Sequence, residues 1–148
     1  MVYINLTFLI VLTKTEILTA VHNFTATTGN TFNLALYTSS ATLSASTTAY
    51  ASTNEITNTS GSAYSAKGKA LTSVTPTLDS STAVCDFADV SWTSASFTAN
   101  GCLIFNDSHS TDASVCAVAF GGDKTVSSGT FTVQFPAAAA TTAIVRIA

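Results

Sequence analysis

The chain has 148 residues, of which 9% are charged and 47% hydrophobic, and its formal net charge at pH 7 is −3. A chain of this length forms one domain with a sizeable buried core. Its five cations form no basic face, which excludes nucleic-acid binding through phosphate contacts.

The first twelve residues, MVYINLTFLIVL, are strongly apolar. They lack the positive flank and the cleavage motif of a secretory signal, and they are too short to cross a bilayer as a helix. We expect this stretch to belong to the mature protein or to be an upstream extension of the reading frame. In the first case its apolar surface would need a partner, because large apolar patches mark contacts.

Residues 13–24 are the one segment with a helical pattern, since Ile17, Leu18, Val21 and Phe24 recur at helical spacing behind Glu16 in the first turn. We expect residues 1–30 to form an N-terminal arm with this short helix, and the arm to contact a partner. The candidate partner-contact residues are Val2, Tyr3, Ile4, Leu6, Phe8, Leu9, Ile10, Ile17, Leu18 and Val21.

Alternating apolar and polar residues then predict strands, with Ser, Thr, Asn and Gly between them. Between the first two strands, residues 38–53 are rich in Ser, Thr and Ala and predict a long surface loop anchored at residues 49–50, followed by a short edge segment. A proline at position 76 is expected to end the second strand. The predicted strands of this half are residues 31–37, 69–74, 82–86 and 86–92.

The C-terminal half carries the most apolar segments, at residues 97–105, 115–120, 130–135 and 142–147. Gly101 inside the first of them predicts a β-bulge or a close backbone approach. Residues 106–112 are polar and predict a hairpin tip, the run 115–120 predicts a central strand buried on both faces, and residues 121–124 predict a tight turn. Altogether the pattern predicts an all-β fold, an antiparallel β-sandwich or jelly-roll-like domain of seven to eight strands over residues 31–148.

The sequence offers little chemistry. Cys85, Cys102 and Cys116 are an odd number without metal-site spacing, and each lies in an apolar stretch, so we expect free buried thiols, although one disulfide plus one free thiol remains possible. Such thiols are typical of assembly in a reducing cytoplasm. His22 is expected to be an exposed or half-buried helix residue. We predict no catalytic, cofactor-binding or metal-binding residue.

Asp107, His109 and Asp112 form one polar cluster that could contradict this prediction. It could form a metal site or part of a hydrolytic triad, but turn hydrogen bonding at a hairpin tip explains it more simply. Asp86 and Asp89 could act as a glycosidase pair, yet nothing in the sequence specifies their separation. The glycines of residues 121–124 lack the spacing of a phosphate loop.

Several motifs follow one another in a recognisable order along the chain. They are FNLALYTSSATL at 32–43, TNEI at 53–56, FADVSWT at 87–93, FTANGCLIFND at 97–107, FGGDKTV at 120–126 and GTFTVQFP at 129–136. Together they resemble a family of small structural proteins of tailed bacteriophages. Residues 1–12 lie outside the family pattern, and the loop at 60–68 has less glycine than is usual there.

The resemblance implies a virion protein, and a neutral, hydroxyl-rich β module favours a capsid decoration (cement) protein that stabilises the head by bridging capsomers. The expected partners are the major capsid protein and further copies of the chain, most plausibly a trimer, with neither nucleic acid nor membrane. The protein would act on the capsid surface after assembly in the host cytoplasm. It would not be an enzyme, and it would need no cofactor.

Two alternatives stay open at this stage. A tail or head-fibre component that touches the host could use aromatic side chains to stack on glycans, with Tyr37, Tyr50, Tyr64 and Trp92 as candidates. A hydrolase acting on envelope polysaccharide would rest on Asp86, Asp89, Asp107 and His109.

Overall fold

The computed structural model describes residues 2–3, 8–9, 11–57 and 63–148, with the backbone alone described up to residue 13. Within these ranges the chain forms one helix and nine strands. They are β1 (Val2–Tyr3), β2 (Phe8–Leu9), α1 (Val11–Leu18), β3 (Phe32–Tyr37), β4 (Lys69–Ala70), β5 (Ser73–Asp79), β6 (Thr82–Phe87), β7 (Val90–Asn106), β8 (Ala113–Gln134) and β9 (Val145–Ile147).

The strands form two sheets. The large sheet has the order β1-β8-β7-β3-β4, with β2 also paired to β8, and the small sheet has the order β5-β6-β9. Neighbouring strands are antiparallel except for β1, which runs parallel to β8. The prediction of an all-β, antiparallel sandwich with one short helix is therefore confirmed. The individual strands differ from the predicted ones, because β1 and β2 were not predicted and the predicted strand 69–74 is divided between β4 and β5. The end of the predicted strand 86–92 and all of 97–105 fall within the single strand β7, and the predicted strands 115–120 and 130–135 fall largely within β8.

One core lies between the two sheets, and it is rich in aromatic rings. Phe32 of β3 stacks on Phe24 with ring centroids 4.5 Å apart, and it meets Phe87 of the small sheet at 5.7 Å. Burying side chains of this size contributes roughly 1.5–3 kcal/mol each. Phe24 therefore ties the segment that follows α1 to both sheets.

The outer face of the large sheet is also covered. Tyr37, Leu103, Phe105 and Ala117 point to this face and form a second buried cluster beneath the loop of residues 38–53. That loop contains no regular strand, as predicted, and it touches the sheet through an isolated bridge between Ala49 and Ala113. Because both faces are covered at this point, residues 113–118 of β8 are all buried. The predicted run 115–120 is therefore buried except at Ala119, which is exposed, so the expectation is confirmed in part.

The predicted tight turn at residues 121–124 is wrong. β8 continues through it, and Ala99 pairs with Lys124 while Gly101 pairs with Ala119, so β8 bulges opposite Asn100. Gly121 and Gly122 take φ values of +70° and +132° at this point, which glycine allows at little cost. The register shift lies beside Gly101, as predicted, but its extra residues belong to β8. Gly101 also allows the expected close backbone approach, since a Cβ there would lie 2.7 Å from the Val118 carbonyl oxygen. A bulge and a turn use the same residue types, which explains the error.

Pro76 does not end a strand either. It lies inside β5, where the register with β6 shifts between Val74 and Thr77. β5 is an edge strand, and an edge or a bulge is where a sheet tolerates a proline, because no ladder hydrogen bond is lost.

Helix α1 also differs from the prediction, since it begins at Val11 and ends at Leu18 rather than at Phe24. In the described part of the chain, no helix combines the length and the apolar character needed to cross a membrane.

Candidate functional site

The N-terminal segment that was expected to reach a partner is partly taken up by the large sheet. The backbone of Val2 and Tyr3 pairs with Val133 and Gln134, and that of Phe8 and Leu9 pairs with Ala117 and Cys116. Both pairings use the edge of β8 that β7 leaves open. Three further candidates, Ile4, Leu6 and Ile10, lie outside the described residues.

The remaining candidates, Ile17, Leu18 and Val21, lie on or just after α1 and differ in how exposed they are. Ile17 is half-buried and packs against the core, and Val21 is half-buried just beyond the helix. Leu18 is 87% exposed. Of the candidates whose side chains the structure describes, which are Ile17, Leu18 and Val21, Leu18 is thus the most open to a partner.

A buried polar anchor fixes the segment after α1. The His22 ring lies between Glu16, whose Oε2 is 3.1 Å from Nε2, and Asn106, whose Nδ2 is 3.2 Å from Nδ1. Asn106 Nδ2 also donates to the carbonyl oxygen of Val21 at 2.9 Å. Burial lowers the pKa of His22 despite the neighbouring Glu16 carboxylate. His22 was expected to be an exposed or half-buried helix residue, but it lies beyond the helix and is buried.

A cleft opens between this anchored segment and the small sheet. Its volume is about 430 Å³, within the range of a binding pocket. The floor consists of side chains that also belong to the core, Phe24, Cys85 and Val145, and Ile17 forms part of the wall. The cleft is therefore apolar and reaches down to the core.

A second opening of about 350 Å³ lies between α1 and β9. Ile17 and Ile147 line both openings, so the two form one continuous groove, which we call the α1–β9 groove. Two cations, Lys14 and Arg146, stand at its rim, whereas no Asp or Glu lines it among the described residues. The groove therefore combines an apolar floor with a positively charged rim.

Exposed apolar side chains continue the groove across the small sheet. Leu78, Ala83 and Ile147 lie opposite one another on β5, β6 and β9 and so share one face. Leu78 is 73% and Ile147 49% exposed. We call Leu18, Leu78, Ala83 and Ile147 the apolar patch, which is an exposed surface without a covering element in the described structure.

The polar cluster at the β7–β8 connection is a turn, as the simpler interpretation predicted. Ser108 donates its backbone N–H to Asn106 Oδ1, and the Asp112 backbone donates to the carbonyl of His109. Asp107 and Asp112 both bind Lys67 Nζ, at 2.8 and 2.9 Å. These two hydrogen-bonded carboxylates raise the pKa of Lys67. Lys67 therefore stays charged and holds the two acids together.

Glu55 is a buried acid that the sequence did not single out. Its carboxylate accepts hydrogen bonds from the hydroxyls of Tyr50 and Tyr64, and Tyr64 Oη in turn accepts the backbone N–H of Leu36. Burial, followed by the Glu55 hydrogen bond, raises the pKa of Tyr50 to about 12. The network fastens the loop that ends at Glu55 to β3. No local pattern could reveal it, because its tyrosines lie on either side of Glu55 in a low-complexity region.

The other acids considered earlier also serve the backbone. Asp86 Oδ1 accepts the N–H of Phe87, and Asp89 Oδ1 accepts the N–H of Phe135. Burial raises the pKa of Asp86. All three cysteines are free and buried, as predicted. Within the described residues, no group of three or more His, Cys, Asp or Glu side chains could hold a metal ion.

Comparison with protein-family models, with curated proteins and with solved structures finds no match to this chain.

Proposed function

We propose that this chain is a bacteriophage capsid decoration protein that binds the outside of the head and stabilises it by bridging neighbouring capsomers. The order of the motifs between residues 32 and 136 supports a virion protein. The observation that carries the binding role is the placement of exposed apolar side chains. Among the described residues, the large ones are Leu18, Val74, Leu78 and Ile147, and all lie on α1 or the small sheet.

Exposed apolar side chains gathered on α1 and the small sheet suit a clamp, with Leu78 and Ile147 on one face of that sheet and Val74 on the other. Around β3 the large sheet is covered on both faces, by the small sheet and by the loop of residues 38–53, and close packing of this kind resists deformation. A body packed in this way can present α1 and the small sheet to the shell without reshaping. Many copies on one particle give strong overall attachment even when each contact is weak.

The low charge of the protein supports the same role. Only 9% of residues are charged, and Lys67 is already paired with Asp107 and Asp112. Contacts made by apolar area depend little on ionic strength, in contrast to exposed ion pairs. A decoration protein of this composition would stay bound to the shell when the ionic strength changes outside the host.

A binding role also agrees with how the candidate acids and histidines are used. Asp86 and Asp89 accept backbone N–H groups, and Asp107 binds Lys67. His109 bonds Thr111 within the turn. These side chains serve structural hydrogen bonds, so we propose a protein that is not an enzyme.

The proposed partners are the major capsid protein and other copies of the chain, on the capsid surface, after assembly in the host cytoplasm. Association into a trimer would cover strand edges such as that of β5, which is exposed over six of its seven residues. Nucleic acid and membrane are not among the proposed partners.

The test is the copy number in purified particles. A decoration protein should be present in amounts comparable to the major shell protein, measured by quantitative electrophoresis. Shells stripped of the protein should rupture at a lower temperature and recover when the purified protein is added. A few copies per particle, or shells that neither bind the protein nor gain stability, would contradict the proposal.

The tail or head-fibre alternative depended on aromatic side chains available for stacking. Tyr37, Tyr64 and Trp92 are at most 2% exposed, which leaves the half-buried Tyr50. Decoration of the head is therefore the better supported proposal. Immunogold labelling separates the two, because labelling at the tail tip would favour the fibre.

A further inference from the structure

The small sheet has two edges, and they differ in how open they are. β5 forms one edge, and Pro76 with its bulge removes a donor and disrupts the pairing there. β9 forms the other edge, and its three residues, Val145, Arg146 and Ile147, include neither proline nor a register shift. Within the described residues, β9 pairs only with β6, so its outer edge is available to another strand.

That open edge borders the α1–β9 groove. Ile147 lines both openings of the groove, and Ile17 of α1 lies across from it. A strand edge facing a helix across an apolar groove is a geometry that accepts an extended peptide, with backbone hydrogen bonds on one side and side-chain contacts on the other. The larger opening of the groove, of about 430 Å³, has room for a bulky apolar side chain.

The charges at the rim restrict what can bind. Lys14 is exposed, and among the described residues neither cation has an ion-pair partner. The Arg146 guanidinium donates a 3.3 Å hydrogen bond to the carbonyl of Ala140. Arg146 points to the face of β9 opposite Val145 and Ile147, because successive strand residues alternate. A strand added at β9 would therefore place alternate side chains beside Arg146 and the others in the groove.

We propose that the α1–β9 groove binds an extended acidic–apolar segment of the shell protein, which adds a strand to β9, inserts an apolar side chain and sets carboxylates beside Arg146, with Lys14 on the helix side of the same opening. That the segment belongs to the shell protein rests on the proposed function, whereas its chemistry rests on the groove alone. A neutral or basic strand would leave the two cations facing apolar or like-charged neighbours, so the rim selects against it.

The first experiment uses the full chain and short labelled peptides. The probe is fluorescein-TVEFEVT-amide, in which the phenylalanine and the valines share one face of a strand and the two glutamates share the other. The controls are TVKFKVT, with the charge reversed, and TVESEVT, without the apolar anchor. Fluorescence anisotropy should show saturable binding of the first peptide, at least about tenfold tighter than either control at low salt.

Variants of the protein then locate the binding. Exchange of both rim cations, Lys14→Glu with Arg146→Glu, should abolish the preference for glutamate and transfer it to the lysine peptide. The matched control is Lys124→Glu, because Lys124 has no described ion-pair partner and lies on β8 away from the groove. As a further check, the preference for the glutamate peptide over the lysine peptide should be lost at high salt, because screening weakens exposed charge pairs.

Three results would overturn the inference. The first is the absence of saturable binding of TVEFEVT at millimolar concentration, and the second is equal binding of all three peptides. The third is light scattering in which the wild-type chain self-associates and the Lys14→Glu, Arg146→Glu variant does not, because a second copy would then occupy the groove.

Binding to stripped shells separates this inference from the proposed function. If wild-type protein binds shells and the double variant binds equally well, the inference is wrong and the decoration role stands. If wild-type protein fails to bind shells while the acidic peptide binds the groove, the decoration role is wrong and the recognition chemistry stands.

Discussion

Asn106 holds His22 in a single protonation state. The Asn106 amide is oriented by its two other contacts, since Oδ1 accepts from Ser108 N–H and Nδ2 donates to the Val21 carbonyl. The group 3.2 Å from His22 Nδ1 is therefore an N–H donor, and Nδ1 must accept. Nε2 then carries the proton and donates to Glu16. Protonation of Nδ1 would set two donors against each other.

This arrangement predicts that acid destabilises the fold. Burial lowers the folded-state pKa of His22 from 6.5, against the raising effect of Glu16 and with a smaller lowering effect from His109. Below about pH 6.5 the unfolded chain takes up a proton that the folded chain refuses, so the free energy of unfolding falls as the pH falls. Above about pH 6.5 the contribution of His22 is constant.

Urea unfolding between pH 5 and 8 measures the effect. The slope attributable to His22 should not exceed about 1.4 kcal/mol per pH unit, the limit for one proton. His22→Phe should remove that slope, whereas His109→Phe at the exposed turn should retain most of it. Wild-type stability that stays level from pH 8 to 5, after correction with the variant, would refute the assignment.

Removal of the amide should loosen the N-terminal segment. Asn106→Ala leaves the Val21 carbonyl and His22 Nδ1 without their donor in a buried site, at an expected cost of about 1–3 kcal/mol. Asn100→Ala is the matched control, because Asn100 bonds Asp123 at the surface and its loss should cost less than about 0.5 kcal/mol. Amide hydrogen exchange should accelerate in residues 14–24 of the first variant and remain unchanged in the second.

The anchor shows which parts of the structure the sequence could predict. Strands such as β3 and β6 could be predicted from local alternation, and the turn after Asn106 from its run of polar residues. The contact between His22 and Asn106 joins residues 84 positions apart, and no period or motif connects them. The α1–β9 groove could not be predicted for the same reason, because α1 and β9 lie near opposite ends of the sequence and come together only in the folded chain. The motifs noted in the sequence lie between residues 32 and 136, whereas α1 and β9, the two sides of the groove, lie outside that range.

The Glu55 network predicts a second stability effect. Tyr64→Phe removes the acceptor of the Leu36 N–H and a donor to Glu55 Oε1, both in the interior, and should cost about 1–3 kcal/mol. Tyr50→Phe removes one donor from a half-buried position and should cost less. Chemical denaturation gives both values, and equal losses would mean that burial does not set the cost.

The thiols should be inert in the folded protein. Burial raises the pKa of Cys85 and of Cys116 to about 12 and raises that of Cys102 as well, so thiolate is scarce at neutral pH. A colorimetric thiol reagent should react with no cysteine of the native chain within minutes and with all three in denaturant. Fewer than three in denaturant without reductant would reveal a disulfide.

Two glycines with nearly the same φ allow the cost of backbone strain to be distinguished from the cost of a steric clash. Gly68 has φ +68°, and a Cβ there would lie 1.9 Å from the Leu34 carbonyl oxygen, whereas Gly121 has φ +70° and open space around it. Gly121→Ala should cost about 1–2 kcal/mol, the strain of a left-handed alanine. Gly68→Ala adds a clash with the backbone of β3 that no side-chain rotation relieves, so about 3 kcal/mol or more is expected. Thermal unfolding compares the two directly, and similar melting temperatures would mean that β3 and the loop before β4 can move apart.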